Sequence, residues 1–255
     1  TNLRHSQNTL NKTVNLSLPE LNYSINRFQP FKGLNQSSKS KWYDNISVSY
    51  SVNAKNEIRT IDSLLFTRES LQDFNNGLKH SIPVSASFKA LKHITVSPRF
   101  NYTERWYFNY INKSWNGEEL NTDTLNGFKR AYNYNFSTSL NTKLYGMIQM
   151  KKGLIRAIRH VATPSISFNY TPDFSHDRFG FYQEVQSDSL GDTQSYSIFQ
   201  NGIYGSPGKT KSGNITFSLA NLLEAKVPTE NDSLNSLKKI KILVLKIYLS
   251  NLVIY

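Results

Sequence analysis

Apolar and polar side chains alternate one by one along most of this chain. In "NISVSYSVNA" (45–54), Ile46, Val48, Tyr50, Val52 and Ala54 take one face, and Asn45, Ser47, Ser49, Ser51 and Asn53 take the other. The same period returns at Ile82, Val84, Ala86 and Phe88, then at Ile94, Val96, Phe100 and Tyr102. It continues at Tyr132, Tyr134, Phe136, Leu140 and Leu144, at Ile166, Phe168 and Tyr170, and at Ile215, Phe217 and Leu219. A period of two places successive side chains on opposite sides of an extended backbone, so these segments predict half-buried antiparallel strands. Near the start, Val14, Leu16 and Leu18 hand over to Leu21, Tyr23 and Ile25 across Pro19-Glu20, which predicts a short turn there.

The connections sort by length. Pro19-Glu20 and Ala90–Lys92 predict tight links, whereas 29–41, 60–77, 113–127 and 202–212 predict long polar ones, with a short helix possible in sequence over 61–76. Residues 179–185 and 196–199 flank "QSDSLGDTQ" and predict a hairpin reaching beyond the main sheet. Short turns alternating with long loops is the layout of an outer-membrane barrel. The pattern therefore predicts an all-β fold, an antiparallel transmembrane β-barrel represented in part, with roughly ten to twelve strands of a larger barrel.

Composition decides which solvent each face meets. Aromatics make up 13% of the chain, while charged residues are only 19%, and the strand faces opposite the aromatics carry Ser, Asn and Thr. A soluble sandwich keeps its outer face wet with Lys, Glu and Asp, whereas a neutral hydrogen-bonding face suits a water-filled lumen and an aromatic face suits lipid. "YTERWYFNY" (102–110), with Trp106, Tyr107, Phe108 and Tyr110, reads as an aromatic girdle at a membrane interface, or else as an aromatic cluster in a soluble core. The net charge of +12 favours an anionic partner. Lys151, Lys152, Arg156 and Arg159 form the densest positive stretch, which suits lipopolysaccharide phosphates or lipid headgroups, or else an ordinary charged connection.

Candidate chemistry is sparse. Cysteine is absent, which excludes disulfides, thiolate metal sites and a Cys nucleophile. His5, His80, His93, His160 and His176 are scattered without metal-ligand spacing. "GSPGKTKSG" (205–213) resembles a P-loop, yet only Ser206 and Pro207 separate Gly205 from Gly208-Lys209, and a strand follows. Glu118-Glu119 sits in a polar stretch that reads as a solvated loop. These features predict no enzyme, no cofactor, no metal and no nucleic-acid partner.

"IRHVATPSISFNYTPDFS", "YSIFQNGIYG" and "KSGNITFSLANLLEAKV" resemble the LptD family of outer-membrane lipopolysaccharide-assembly proteins, in its Bacteroidetes-type form. "NKTVNLSLPELNYSINRFQPF", "HSIPVSASFK", "VSPRFNYTERWYF" and "LNTKLYGM" fit the same family in the same order, so the resemblance covers about residues 5–242. Its most specific part is His160, Pro164, Tyr170 and Pro172, with the strand leaving at Pro172-Asp173. The resemblance implies a very large barrel in the cell outer membrane of a Gram-negative bacterium, preceded by a periplasmic jellyroll. It further implies a plug lipoprotein (LptE-like), periplasmic lipopolysaccharide-bridge proteins and outer-membrane lipid as partners. The activity it implies is delivery of lipopolysaccharide to the outer leaflet through a lateral opening, without covalent chemistry. The alternatives are another barrel (a porin or a TonB-dependent transporter) and a soluble β-sandwich adhesin or glycan-binding protein.

Residues 1–243 are expected to belong to the barrel domain. Residues 244–255, "VLKIYLSNLVIY", lose the alternation and form an atypical apolar tail. A frameshifted or truncated reading frame, a buried strand or short helix, and a barrel-terminal signal are the explanations, the first being preferred.

Overall fold

The computed structural model describes residues 2–33, 41–65, 67, 70, 74–151, 153–228 and 237–254. Thirteen strands appear among them: β1 (Asn2–Asn8), β2 (Thr13–Phe28), β3 (Ser47–Ile61), β4 (Asn75–Ser85), β5 (Phe88–Ala90), β6 (Ile94–Trp115), β7 (Leu120–Asn141), β8 (Leu144–Gln149), β9 (Ala157–Thr171), β10 (Tyr182–Gln186), β11 (Thr193–Ser197), β12 (Ser212–Pro228) and β13 (Leu237–Ile254). Eleven of them form one antiparallel sheet in the order β1-β2-β3-β4-β6-β7-β9-β12-β13, with β5 on β6 and β8 on β9. β10 and β11 pair only with each other. The sheet is open, with β1 and β13 as its outer strands.

Chain-order neighbours pair because short links favour hairpins, and the side-chain period then holds each register. Val48, Val84, Phe100, Phe136 and Tyr170 are successive ladder partners, ending at Gly213. That row begins beside the first residue of β3 and ends beside the first residue of β12, at the opposite rim of the sheet. Such a stagger is what strands tilted relative to the row produce.

The apolar face is bare. Phe100, Phe136, Leu140, Ile166, Tyr170 and Phe217 are each between 37% and 42% exposed. The buried hydrophobic cluster lies elsewhere, with Tyr107, Ala131, Phe174, Phe181 and Phe199 among its members. A soluble sandwich would bury the first set; this sheet leaves it open and packs a connection against the second.

Several links differ from expectation. Pro19-Glu20 is no turn: β2 runs straight through it, and the register with β3 slips between Ser17 and Glu20. One extra residue moves the apolar positions from even to odd numbers while keeping them on one face, as Leu16 opposite Ile58 and Ile25 opposite Tyr50 show. Proline sits at this irregularity because it has no N–H to give to a ladder. The expected loop over 113–127 is instead a tight turn at 116–119 between strands of 22 residues each. Asn116 caps that turn, its Oδ1 accepting from the Glu118 and Glu119 amides. β4 pairs with β6 only as far as Tyr107, and β9 with β7 only from Phe136, so the tip of the β6–β7 hairpin projects past both neighbours at one rim. β3 and β9 end at that rim, where β4 and β12 begin, whereas β2 ends and β3 begins at the other, so the long links do not all start from one side. The Ala90–Lys92 link is a tight turn as expected, with Leu91 and Lys92 at positive φ.

Within 61–76, the structure places a 3-10 turn at Asp62–Leu64, and 66, 68–69 and 71–73 lie outside the described residues. β8 continues β7 after a two-residue break with an unchanged register on β9, Asn141 opposite Ser165 and Leu144 opposite Ala162. The apolar stretch from Val244 onward is the second half of β13, paired along β12 from Leu222 to Gly213.

Candidate functional site

The polar face follows from the same alternation. Asn53, Lys79, Arg105 and Ala131 are successive ladder partners, and Ser137, Asn169 and Asn214 form a second row. Neighbouring side chains satisfy one another across strands. Asn53 Nδ2 donates to Asn22 Oδ1 at 2.6 Å, Arg105 Nη1 to Asn133 Oδ1 at 2.6 Å, and Asn169 Nδ2 to Asn214 Oδ1 at 3.0 Å. Lys79 lies directly opposite Arg105, a like-charge placement that costs the sheet stability.

A segment inserted between β9 and β12 covers part of this face. It leaves β9 at Pro172, passes through a 3-10 turn at Asp177–Phe179, forms the β10–β11 hairpin, and returns as a strap over 198–208. The hairpin stands off the main sheet, as its sequence predicts, and it folds back over the sheet because its aromatics have a cluster to join. Phe199 stacks on Tyr107 with ring centroids 4.6 Å apart, and the Tyr107 hydroxyl donates to the Gly205 carbonyl. The Ile111 amide donates to the Ile198 carbonyl at 2.9 Å, and Asn75 Nδ2 to the Asn201 carbonyl at 2.7 Å. Around the β7 edge, Phe174 meets Tyr134 and Phe181 meets Tyr132, both edge to face.

Two glycines let the strap approach. A Cβ on Gly202 would stand 2.6 Å from the Tyr107 ring, and one on Gly77 would stand 2.7 Å from the Trp106 carbonyl and 3.0 Å from Ile203. Tyr204 then reaches Asn53, its hydroxyl 2.6 Å from Oδ1 and 2.7 Å from the backbone oxygen. Burial, with the charge of Glu20, pushes the Tyr204 phenol above its ordinary pKa and keeps it a neutral donor. Beside it lies a mixed recess of about 490 Å³ lined by Glu20, Asn22, Asn53 and Lys79 together with Tyr23 and Val52. A second, of about 520 Å³, is lined by Lys55, Glu57, Arg59 and Asn201. The arrangement offers hydrogen-bond donors and cations to a hydrated, anionic, sugar-like solute.

The residues singled out from sequence fall in different places. Trp106 sits on the apolar face, its Nε1 donating to Glu104 at 2.7 Å and its ring 4.4 Å from that of His80. Phe108 is exposed on β6, and Phe128 packs near both rings. Tyr107, by contrast, is fully buried under the strap, so it cannot belong to a lipid-facing girdle. Tyr110 packs against the same cluster, under Lys129. His160 pairs with Asn221 at 3.0 Å, and Pro164 and Tyr170 stand on the apolar side of β9.

Pro172 and Asp173 begin the insert. Asp173 accepts from the Ser175 amide and hydroxyl, both at 2.7 Å, which hold its carboxyl below the usual range. Ser175→Ala is expected to raise that pKa only part of the way, since the backbone amide of residue 175, the larger cause, still donates, as a carbon-detected NMR titration would read. The turn it braces should correspondingly loosen as pH falls through the lowered Asp173 pKa, since a depressed carboxyl stabilises only while ionised.

The basic stretch divides. Arg159 is bound to Glu224 at 2.5 Å, so its charge is already matched. Lys151 and Arg156 lie in the β8–β9 connection, with Arg156 Nη1 on the Lys151 carbonyl, and Lys152 lies outside the described residues. No group of metal-binding side chains occurs among the described residues. Sequence reasoning missed the strap; the signal available was Phe199, Gly202, Tyr204 and Gly205, a spacing of aromatics and glycines that suits close packing better than a solvated loop.

Compared with known protein families, residues 1–250 match the one described as LptD protein. No curated protein and no solved structure matches.

Proposed function

The chain belongs to the LptD protein family, and from that membership we propose that it is part of an outer-membrane barrel that inserts lipopolysaccharide into the outer leaflet. The family is one of transport, not of enzymes, and it carries the lipopolysaccharide-assembly role. The observation that supports the barrel reading is the burial of the two faces: the aromatic face is open at Phe100, Phe136, Ile166 and Phe217, while the inserted connection packs on the polar face at Tyr107 and Ala131 and reaches around the β7 edge to Tyr132 and Tyr134. On this reading the apolar face meets lipid and the polar face lines a hydrated lumen. Lys79, Arg105 and the recesses beside Tyr204 would meet the glycan and its phosphates. The strap over 198–208 would narrow the lumen on that side. A plug lipoprotein, periplasmic bridge proteins and the Gram-negative outer membrane complete the proposal. Energy for transfer would come from the upstream components, since the face offers binding groups and no reacting ones.

The two faces are separable by photocrosslinking in cells. A benzophenone side chain at Asn101 or Ser137 is expected to capture lipopolysaccharide, whereas one at Phe100 or Phe136 captures bulk membrane lipid. Capture of lipopolysaccharide at none of the polar-face positions would remove the conduit reading.

A further inference from the structure

The apolar face carries a depression near the rim that holds the β8–β9 connection. Its walls are Ile148, Ile158, Leu243 and Leu245, and its volume is about 460 Å³. The gap exists because Gly146 stands where the alternation calls for a side chain, between Leu144 and Ile148 and opposite His160. A Cβ there would meet only the His160 Cβ, at 4.0 Å. His160 and Asn221, hydrogen-bonded to each other at 3.0 Å, are the polar groups of an otherwise apolar lining.

A polar pair on a lipid-facing surface is costly unless it is satisfied or meets a polar part of the lipid. His160 is three residues from the start of β9, about 10 Å along the strand at 3.3 Å per residue. That start carries cations: Lys151 and Arg156 in the connection, and Lys238 near the start of β13. Cations at the rim, a polar pair one step inward and an apolar trough beyond them follow the order of a phospholipid: phosphate, ester, acyl chain.

We propose that this trough is a binding site for one anionic phospholipid, with its headgroup at Lys151, Arg156 and Lys238, its ester at His160–Asn221 and an acyl chain over Gly146. The occupant is a phospholipid and not lipopolysaccharide because the projecting hairpin and the long insert occupy the opposite rim, the side on which barrels carry their longer outer loops. The site rests on the barrel reading given above.

The test uses the full chain purified in detergent, with phosphatidylglycerol, phosphatidylcholine and lipopolysaccharide as probes and native mass spectrometry as the readout. One phosphatidylglycerol should stay bound under activation that strips phosphatidylcholine. Gly146→Phe should cut the bound fraction about ten-fold, equivalent to about 1.4 kcal/mol. Lys151→Gln with Arg156→Gln should abolish the preference for phosphatidylglycerol. Unchanged retention in Gly146→Phe, equal retention of the two lipids by the unmutated chain, or a preference for lipopolysaccharide over phosphatidylglycerol would each overturn the site. A heated against unheated gel shift, run on every variant, reports the barrel separately. Its presence without lipid retention defeats the site alone, and its absence in the unmutated chain defeats the barrel reading and the site together.

Discussion

Ile166→Arg is expected to destabilise the folded protein in a phospholipid bilayer by about 2–4 kcal/mol, while Ser167→Arg beside it changes stability by less than about 0.5 kcal/mol. Ile166 stands on the bare face between Leu140 and Phe217, and Ser167 on the other face between Ser139 and Thr216. An arginine at Ile166 would place its guanidinium against hydrocarbon, with apolar neighbours on both sides and no acceptor to pair with. An arginine at Ser167 would enter water among hydroxyls. Urea unfolding in vesicles, followed by tryptophan fluorescence, reads both variants. The first cost corresponds to a fall in the folding constant of roughly thirty-fold to several hundred-fold. Equal costs at the two positions would mean that the faces do not meet different solvents, and the membrane reading would fail with them.

The faces were legible in the sequence because a period of two is enforced by backbone geometry wherever one side of a sheet is apolar. The pattern even carried the irregularity at Pro19, since a switch from even to odd apolar positions demands one extra residue. It did not say whether that residue makes a turn or a bulge; the ladder from β2 to β3 decides for the bulge. The hairpin tip was misread for a related reason. From residue 112 to 127 the side chains of β6 and β7 are exposed or half-buried on both sides, so alternation is no longer required, and "NKSWNGEELNTDTLNG" looks like a loop while being mostly strand.

The girdle assignment failed at Tyr107 by neglect of the same rule. Trp106 and Tyr107 are adjacent, so a strand must send them to opposite faces, and only one can meet lipid. Grouping "RWYF" by composition hid that. The strap was invisible for a different reason: its partners are 126 to 151 residues away in sequence for Asn75–Asn201 and Asn53–Tyr204, and no local period encodes such contacts.

Tyr107→Ala should release the strap. The ring is fully buried, stacked on Phe199, and its hydroxyl is bonded to the Gly205 carbonyl. Truncating a buried aromatic costs about 3–5 kcal/mol. The backbone of β6 keeps its ladder to Gly77 and Lys129 whatever the side chain, so the loss should concentrate in the segment docked on the ring. Hydrogen exchange followed by mass spectrometry should therefore show faster exchange in peptides covering 196–205, by roughly a hundred-fold or more. Exchange in β9 and β12 should stay as it was.

Tyr107→Phe keeps the stack and loses one hydrogen bond, about 1 kcal/mol, and should exchange nearly as the unmutated chain does. Gly202→Val reaches the same end from the other side, since its side chain would occupy the space of the Tyr107 ring. If Tyr107→Ala and Gly202→Val open the strap alike while the sheet holds, the insert is a separately stabilised body resting on the polar face. If the whole sheet loosens instead, the cluster around Tyr107 is part of what folds the sheet, and a strap that moves independently of it is ruled out.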